Sequence, residues 1–294
     1  MPAIDVSRVL RVPAEQSLLP DMVRLCSDLR MSRVGTIISP LSFFIKLREI
    51  NALFRSLAHQ DSHEFLIFLL NNLVESLEGP HSSGGLRKAP EPGKQPNLVE
   101  AHFLGHLAHE TQCVACDTIT SVEESFFNLS VDVLPNVSVS YCIRQFFTPE
   151  LLAGQNKFFC NRCCHLQEAV KRVRVKDAPQ HLIIHLKRFK FADKLQRLTK
   201  LSHRVYFGAE LRLDDTPEHL YRLYAVVVHL GHGPNTGHYV CICKHADSPD
   251  WVLFDDHSSR PFQFEQMETI FGAALANHSS SCGYLLFYSR SSAG

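Results

Sequence analysis

The 294-residue sequence lacks both an excess of charge of either sign and any long apolar run. Thirty Lys and Arg residues balance thirty Asp and Glu residues, so no net field attracts nucleic acid or an anionic membrane. No apolar run approaches the roughly 20 residues of a membrane-spanning helix. The opening MPAIDVSRVLRVPAEQS also lacks the sustained apolar stretch of a signal peptide. We therefore expect a soluble intracellular protein, cytoplasmic and/or nuclear, with no nucleic-acid and no membrane partner.

Two further classes of protein, disulfide-rich proteins and metallohydrolases, are disfavoured because the sequence lacks their usual features. Ten cysteines are present, but without a secretory start a disulfide framework is the weaker interpretation. His229, His232 and His238 lack the helical H-x3-H spacing of zinc hydrolases, which argues against a metallohydrolase built from these three histidines and the nearby aspartates. Hydrophobic residues make up 45% of the chain, enough for a substantial core.

Apolar spacing predicts helices in the first part of the chain and strands in the rest. A wide stripe at helical spacing runs through HQDSHEFLIFLLNNLVESL, with Asp61 and Ser62 at its start as capping residues. Residues 79–97, rich in Gly, Pro and Ser, predict a disordered insertion. Beyond it, dense apolar segments predict central strands: HLIIHLKRF, LYAVVVHL, HYVCICK, WVLF and YLLFY. This order indicates an α+β architecture.

Two C-x2-C pairs predict a metal site. They are CVAC, with Cys113 and Cys116, and CNRC, with Cys160 and Cys163. Each pair directs two sulfurs at one point, and four thiolates complete a closed, structural zinc site that joins two distant hairpins. Cys164 and His165 are alternative ligands beside the second pair, and four buried thiols without a metal are the competing interpretation.

A histidine and an aspartate near the C-terminus predict a catalytic pair. His238 follows GPNTG at the start of one predicted strand, and Asp255 ends the next strand, WVLFD. Adjacent antiparallel strands can bring the two side chains together, so that the carboxylate holds Nδ1–H of the imidazole. A surface histidine and an aspartate turn explain the same residues without catalysis.

Taken in order, these motifs resemble those of ubiquitin-specific proteases, also called ubiquitin carboxyl-terminal hydrolases. The motifs are HQDSHEF, CVAC with CNRC, HLIIHLKRF, TKLSHRVYF, GPNTGHYVCICK, WVLFDD and CGYLLFY. The similarity covers about residues 19–290, interrupted by residues 79–97. The sequence is most similar to the small members that partner WD-repeat activators. The resemblance implies an α+β, papain-like cysteine protease fold with a helical thumb, a β-rich palm and zinc-bearing fingers that grip ubiquitin.

On this resemblance the chain divides into five regions. They are an atypical N-terminus (1–18), a partial thumb lacking its first part (19–78), the insertion (79–97), zinc-binding fingers (98–180) and the palm (181–294).

The resemblance also implies roles for five residues. His238 is the general base, Asp255 its orienting partner, and Asp256 a second carboxylate near the oxyanion. Asp61 and Glu64 face the arginine-bearing C-terminal tail of ubiquitin. Helix capping and solvation are a sufficient alternative for these last two carboxylates.

The family's nucleophilic cysteine is missing from its expected place. In the family it lies in an N-terminal box, G-N-T-C-Y-x-N, at a helix start that lowers the thiol pKa. No such box occurs here. Cys26, in VRLCSDLR, lacks the preceding Gly-Asn-Thr and is expected to be a core thiol. Cys241 and Cys243 follow His238 on one strand and are not expected to face it.

Two explanations fit this absence: an incomplete product that starts downstream of the box, or a pseudo-enzyme that binds ubiquitin without cutting it. Either way we predict a deubiquitinase by family whose chain is inactive as written. The alternative from another class is a zinc-ribbon interaction protein.

Overall fold

The computed structural model describes residues 16–33, 36–56, 58–78, 95–193, 196–214, 216, 219–234, 236–244, 248, 250–273 and 281–291. The chain divides into two units, Met1–Leu86 with Gln95–Ala101 and Arg87–Lys94 with His102–Gly294. In the described ranges, no helix combines the length and apolar character needed to cross a membrane. The predictions for residues 1–15 and 79–94 fall outside these ranges.

The first unit is helical, as predicted for the thumb. It contains α1 (Leu19–Met31), α2 (Leu41–Ile50), a 3-10 helix (Ala52–Arg55) and α3 (Ser62–Glu78). The predicted stripe on α3 is confirmed, since Leu69, Leu70, Leu73 and Val74 are buried. Polar contacts add to this packing: Asn72 Oδ1 accepts a hydrogen bond from the Leu18 N–H at 2.8 Å.

Asp61 caps α3, as its sequence position predicts. Its Oδ1 accepts hydrogen bonds from the N–H groups of His63 at 2.7 Å and Glu64 at 3.4 Å. These N–H groups belong to the first turn, where a helix offers them no partner of its own.

Cys26 contradicts its prediction as a core thiol. It is exposed, and no residue of α1 is buried. Helical rotation places Cys26 on the same outer side as Leu29, which is 60% exposed. The buried anchor of this segment is Leu18, just before the helix, so the apolar neighbours of Cys26 in sequence do not surround it in space.

A short helix, α4 (Leu98–Phe103), follows the predicted insertion. Asn97 Oδ1 accepts hydrogen bonds from the N–H groups of Val99 and Glu100, both at 3.0 Å. The Asn97 N–H donates in turn to the Glu100 carboxylate, also at 3.0 Å. This reciprocal cap makes Asn97 the N-cap of α4, which begins at Leu98, directly after the predicted insertion.

The second unit is built on a mixed eight-stranded sheet in the order β17-β16-β15-β14-β18-β9-β3, with β13 also paired to β14. The central strands are those predicted from dense apolar segments. The strands of this sheet are β3 (Asn128–Asp132), β9 (His181–Lys187), β13 (Glu210–Arg212), β14 (Leu220–Gly233), β15 (Thr236–Lys244), β16 (Trp251–Asp255), β17 (Ser258–Phe262) and β18 (Cys282–Arg290). Pairing is antiparallel except between β3 and β9.

Burial on this sheet explains why its strands form. Leu182, Ile184 and Leu186 alternate along β9 and are all fully buried in one hydrophobic cluster with Val226 and Val228 of β14. A 3-10 helix (Phe264–Ile270) covers part of the same cluster through Met267 and Ile270. Apolar area removed from water is the main favourable contribution to folding such a sheet.

A separate four-stranded sheet, in the order β2-β1-β8-β5, lies within the range predicted for the fingers. Its strands are β1 (Gly105–Cys113), β2 (Ile119–Phe126), β5 (Glu150–Leu152) and β8 (Ala169–Asp177), and a hairpin of β6 (Phe158–Cys160) and β7 (His165–Gln167) adjoins it in sequence. Most of β2 is exposed, so this sheet has little apolar core of its own.

Part of the range predicted for the fingers lies in the main sheet. β3 joins that sheet beside β9, and α5 (Val139–Phe146) buries Cys142 and Ile143 in the main hydrophobic cluster. Two short two-stranded sheets complete the unit: β4 (Val137–Ser138) with β12 (Val205–Tyr206), and β10 (Phe189–Ala192) with β11 (Arg197–Lys200).

Candidate active site and metal centre

The structure brings His238 and Asp255 together as predicted. His238 lies near the start of β15 and Asp255 ends the neighbouring β16, with Nε2 of the imidazole 2.6 Å from Oδ1 of the carboxylate. Both side chains are about four-tenths exposed, at 41% and 43%, so the pair is open to a substrate.

The imidazole nitrogen of His238 that faces Asp255 is Nε2, whereas the prediction assigned the carboxylate to Nδ1. The pairing of β15 with β16 begins at Cys241 and Phe254, so the two strands are no longer paired where His238 and Asp255 lie. The carboxylate therefore meets the distal nitrogen, Nε2. Nδ1, the nitrogen nearer the backbone, is left to exchange a proton with a reacting group.

Asp256 completes a small cluster. One ligand atom each from His238, Asp255 and Asp256 lies within 4.8 Å of the others. Asp256 is exposed and has a positive φ of 48°, a conformation that aspartate tolerates better than most residues. The turn after β16 thus holds a second carboxylate beside the pair.

The glycine before His238 allows two segments of the chain to approach each other closely. A Cβ on Gly237, whose φ is +154°, would lie 2.4 Å from the carbonyl oxygen of Leu230 and 2.5 Å from Nε2 of His229. His229 is buried and packs edge-on against Phe189 and Tyr239. The candidate metal-binding groups among the described residues include neither His229 nor His232.

The four predicted metal ligands meet in space. Sγ atoms of Cys113, Cys116, Cys160 and Cys163 all lie within 4.8 Å of one another, and those of Cys116 and Cys160 are 3.6 Å apart. Tetrahedral zinc with Zn–S bonds of about 2.3 Å requires neighbouring sulfurs about 3.8 Å apart. The residues present therefore fit a zinc ion, and they come from the ends and turns of two hairpins, β1–β2 and β6–β7.

The two alternative ligands lie outside this cluster. Cys164 is exposed and its Sγ contacts the Asn161 carbonyl oxygen at 3.4 Å, whereas His165 Nδ1 contacts the Cys163 carbonyl oxygen. Hydrogen bonds within the cluster move two of its thiol pKa values in opposite directions. A hydrogen bond with Thr118 lowers the pKa of Cys116 to about 6, while a hydrogen bond with Cys116 raises the pKa of Cys163 to about 12.

The other cysteines form no hydrogen bond with the catalytic pair among the described residues. All ten cysteines are described, and four of them form the metal cluster. Cys142 and Cys282 are buried, and Cys26 and Cys164 are exposed. On β15, a hydrogen bond between Cys241 and Cys243 raises the pKa of Cys241 and lowers that of Cys243 to about 7. None of these thiols forms a hydrogen bond with His238 within the described residues.

The predicted tail-binding carboxylates both lie at the start of α3. Asp61 is partly buried because it caps the helix, whereas Glu64 is exposed in the first turn. Capping is therefore confirmed for Asp61, and Glu64 offers a negative charge to the solvent.

Two cations in the second unit were missed by sequence analysis. Arg188 is fully buried and Lys200 half-buried, although both stand in ordinary-looking basic stretches, LKRF and LTKL. The sequence around them, LKRF and LTKL, does not separate a buried cation from a surface one.

Comparisons with known proteins show one matching family and two similar proteins. The family described as ubiquitin carboxyl-terminal hydrolase matches residues 7–288. Ubiquitin carboxyl-terminal hydrolase 4 of Arabidopsis thaliana is 40% identical over 303 residues, covering 95% of this chain and 82% of that protein. Ubiquitin carboxyl-terminal hydrolase 12 of Salmo salar is 42% identical over 278 residues, covering 87% of this chain and 73% of that protein.

Among solved structures, the SAGA Ubp8/Sgf11/Sus1/Sgf73 DUB module bound to ubiquitin aldehyde has the same fold. The match has a TM-score of 0.74 at 22% sequence identity and covers 98% of this chain. This chain spans 62% of that one, somewhat less than two thirds.

The α+β fold with its His–Asp pair is thus the papain-like fold of ubiquitin-specific proteases. The chain belongs to the ubiquitin carboxyl-terminal hydrolase family. This confirms the resemblance read from the sequence motifs.

Proposed function

We propose that this chain, with the sequence given, binds ubiquitin but does not cleave its conjugates. The observation that carries the proposal is the His238–Asp255 pair, which lies at 2.6 Å with none of the ten cysteines bonded to it. The family reaction is thiol-dependent hydrolysis of the isopeptide bond at the ubiquitin C-terminus. Without a positioned thiol that reaction has no covalent route, since a neutral His–Asp pair attacks no isopeptide bond.

The roles of the pair follow from its geometry. Asp255 accepts a hydrogen bond from Nε2–H, which fixes the ring and leaves Nδ1 as the nitrogen that takes up a proton. Asp256, beside the pair, is a second carboxylate that can orient water or a donor near a developing oxyanion. In the family reaction, the histidine that corresponds to His238 is the general base that deprotonates the nucleophilic cysteine.

Ubiquitin binding is assigned to acidic residues and to the fingers. Glu64 is exposed at the start of α3, where a carboxylate can pair with an arginine of the ubiquitin tail, and Asp61 lies in the turn before it. The exposed Glu75 of the same helix is a matched control. We expect Glu64→Gln to weaken ubiquitin binding and Glu75→Gln to leave it unchanged. Equal affinities for the two variants would remove Glu64 from the proposed surface.

The proposed metal is one structural zinc ion, held by Cys113, Cys116, Cys160 and Cys163. Bound there, it supplies a cross-link between two hairpins of a sheet that has little core. Four protein ligands leave no open position, so the ion has no part in hydrolysis. A WD-repeat activator as partner stays a prediction that rests on the resemblance. A cytoplasmic and/or nuclear location stays a prediction that rests on the composition of the sequence.

A graft tests the assignment of the pair. Placing a relative's Cys-box segment before Leu18 is expected to confer cleavage of a ubiquitin conjugate, and His238→Ala in the grafted chain is expected to abolish it. Cleavage by the grafted chain that survives His238→Ala would contradict the role of His238. Cleavage by the chain without the graft would contradict the proposed inactivity.

A further inference from the structure

The strand next to His238 is irregular at one defined point. β14 and β15 pair regularly from Ala225 with Cys243 to Leu230 with His238, and then the register shifts before Gly233 with Thr236. The shift leaves Gly231 and His232 of β14 without a cross-strand partner in the ladder. Such a bulge frees backbone carbonyls and re-aims the side chains beside it.

The backbones cross closely at this bulge. Gly231 has a φ of +128°, and a Cβ there would lie 2.7 Å from the Cα of Gly237 and 2.8 Å from the carbonyl oxygen of Thr236. Gly237, immediately before His238, is equally confined by Leu230 and His229. The position of the His238 backbone therefore depends on the shape of the bulge.

Lys200 binds two backbone carbonyls of β14 at and beside the bulge, where the pairing of β14 with β18 has ended at His229 and Cys282. It ends β11, and its Nζ donates to the carbonyl oxygens of Gly231 at 2.7 Å and His229 at 3.1 Å. These carbonyls flank Leu230, the residue paired with His238. Burial lowers the pKa of Lys200 to about 8, so the ammonium still carries its charge at neutral pH. Hydrogen bonds from a charged donor are stronger than those between neutral groups.

Arg188 anchors the segment that follows Lys200. Its guanidinium is fully buried and donates to the carbonyl oxygens of Leu201 at 3.0 Å and His203 at 2.9 Å, just after Lys200. It also donates to the Gly283 carbonyl oxygen of β18 at 2.7 Å, and β18 pairs with β14. The segment that carries Lys200 is thus tied to the same sheet as the bulge.

We propose that Lys200 is a positioning residue for His238: its ammonium fixes the β14 bulge, and the bulge sets where the imidazole stands relative to Asp255. This rests on the proposed role of His238 and adds a residue outside the His–Asp cluster. The hydrogen bonds that join Lys200 to β14 end on backbone carbonyls, so its action on His238 passes through the backbone of Leu230 and Gly237.

The test compares Lys200→Met, which keeps the stem and removes the donors, with Lys190→Met, a control at an exposed lysine of the paired strand β10. In the ungrafted chain, hydrogen exchange at the backbone amides of Leu230 and His238 is expected to become roughly ten- to hundred-fold faster in Lys200→Met. The proton NMR signal of His238 Nε2–H, shared with Asp255, is expected to shift or vanish. Lys190→Met is expected to change neither, and Lys200→Arg is expected to restore part of both.

If Lys200 only stabilised the fold, the Lys200→Met variant would show a different combination of results. If Lys200→Met lowered the melting temperature but left the His238 signal at its wild-type position, the positioning role would be overturned. If that variant does not fold, NMR of wild-type protein labelled at lysine Nζ decides. A slowly exchanging ammonium signal that Lys200→Arg removes supports the proposal, and its absence contradicts it. These readouts need neither ubiquitin nor catalysis, so they are independent of the binding and cleavage tests.

Discussion

Replacing Cys163 by Ser should release the zinc ion and loosen the fingers, whereas replacing its neighbour Cys164 should do neither. Cys163 belongs to the four-thiol cluster, and Cys164 is exposed outside it. Losing a hydrogen-bond partner of a metal ligand already weakens binding roughly 10- to 100-fold. Losing a ligand is therefore expected to weaken it at least 100-fold.

The consequence for stability follows from mass action. Free zinc buffered at about 1,000 times the wild-type Kd stabilises the folded state by about 4.1 kcal/mol. A 100-fold weaker site at the same free zinc concentration retains about 1.4 kcal/mol, a loss of nearly 3 kcal/mol. The assay is elemental analysis after gel filtration, with thermal unfolding at fixed free zinc. Full zinc occupancy in Cys163→Ser, or loss of zinc in Cys164→Ser, would refute the assigned ligand set.

Two further predictions concern individual residues. Asp61→Ala should destabilise α3 by about 1 kcal/mol, while Asp61→Asn should cost little because asparagine also caps helices. Chemical denaturation of both variants checks this, and equal losses would mean that charge, not capping, matters. Burial lowers the pKa of Lys200 from 10.5 to about 8, so the unfolded chain binds a proton that the folded chain has lost between these values. The unfolding free energy of wild type minus that of Lys200→Met should therefore rise with pH from about 8 to 10.5. A flat or falling difference would contradict the burial of the ammonium.

The elements that bury a continuous apolar face could be predicted from the sequence. α3 and the strands β9, β14 and β18 show the expected periodicity, because one face or both faces of each enter a core. The four-cysteine cluster could also be predicted from the sequence, because the spacing within a C-x2-C pair brings its two sulfurs close together. The His238–Asp255 pair required only that two consecutive strands be neighbours.

Features that depend on how residues distant in sequence come together could not be predicted. Which imidazole nitrogen faces Asp255 is decided by where the β15–β16 pairing ends. The exposure of Cys26 depends on which side of α1 finds a partner, and the helix pattern there is weak. The roles of Lys200 and Arg188 come from carbonyls far away in sequence, which no local pattern encodes.

The measurement that tests the central claim most directly uses ubiquitin whose C-terminus carries a thiol-reactive electrophile. The account predicts reversible binding of this probe and no covalent adduct, because none of the ten cysteines is bonded to His238. Intact mass spectrometry after incubation, with binding followed in parallel by NMR titration of plain ubiquitin, gives both readouts. Rapid adduct formation mapped to Cys26 or any other cysteine would contradict the claim, as would a complete lack of ubiquitin binding.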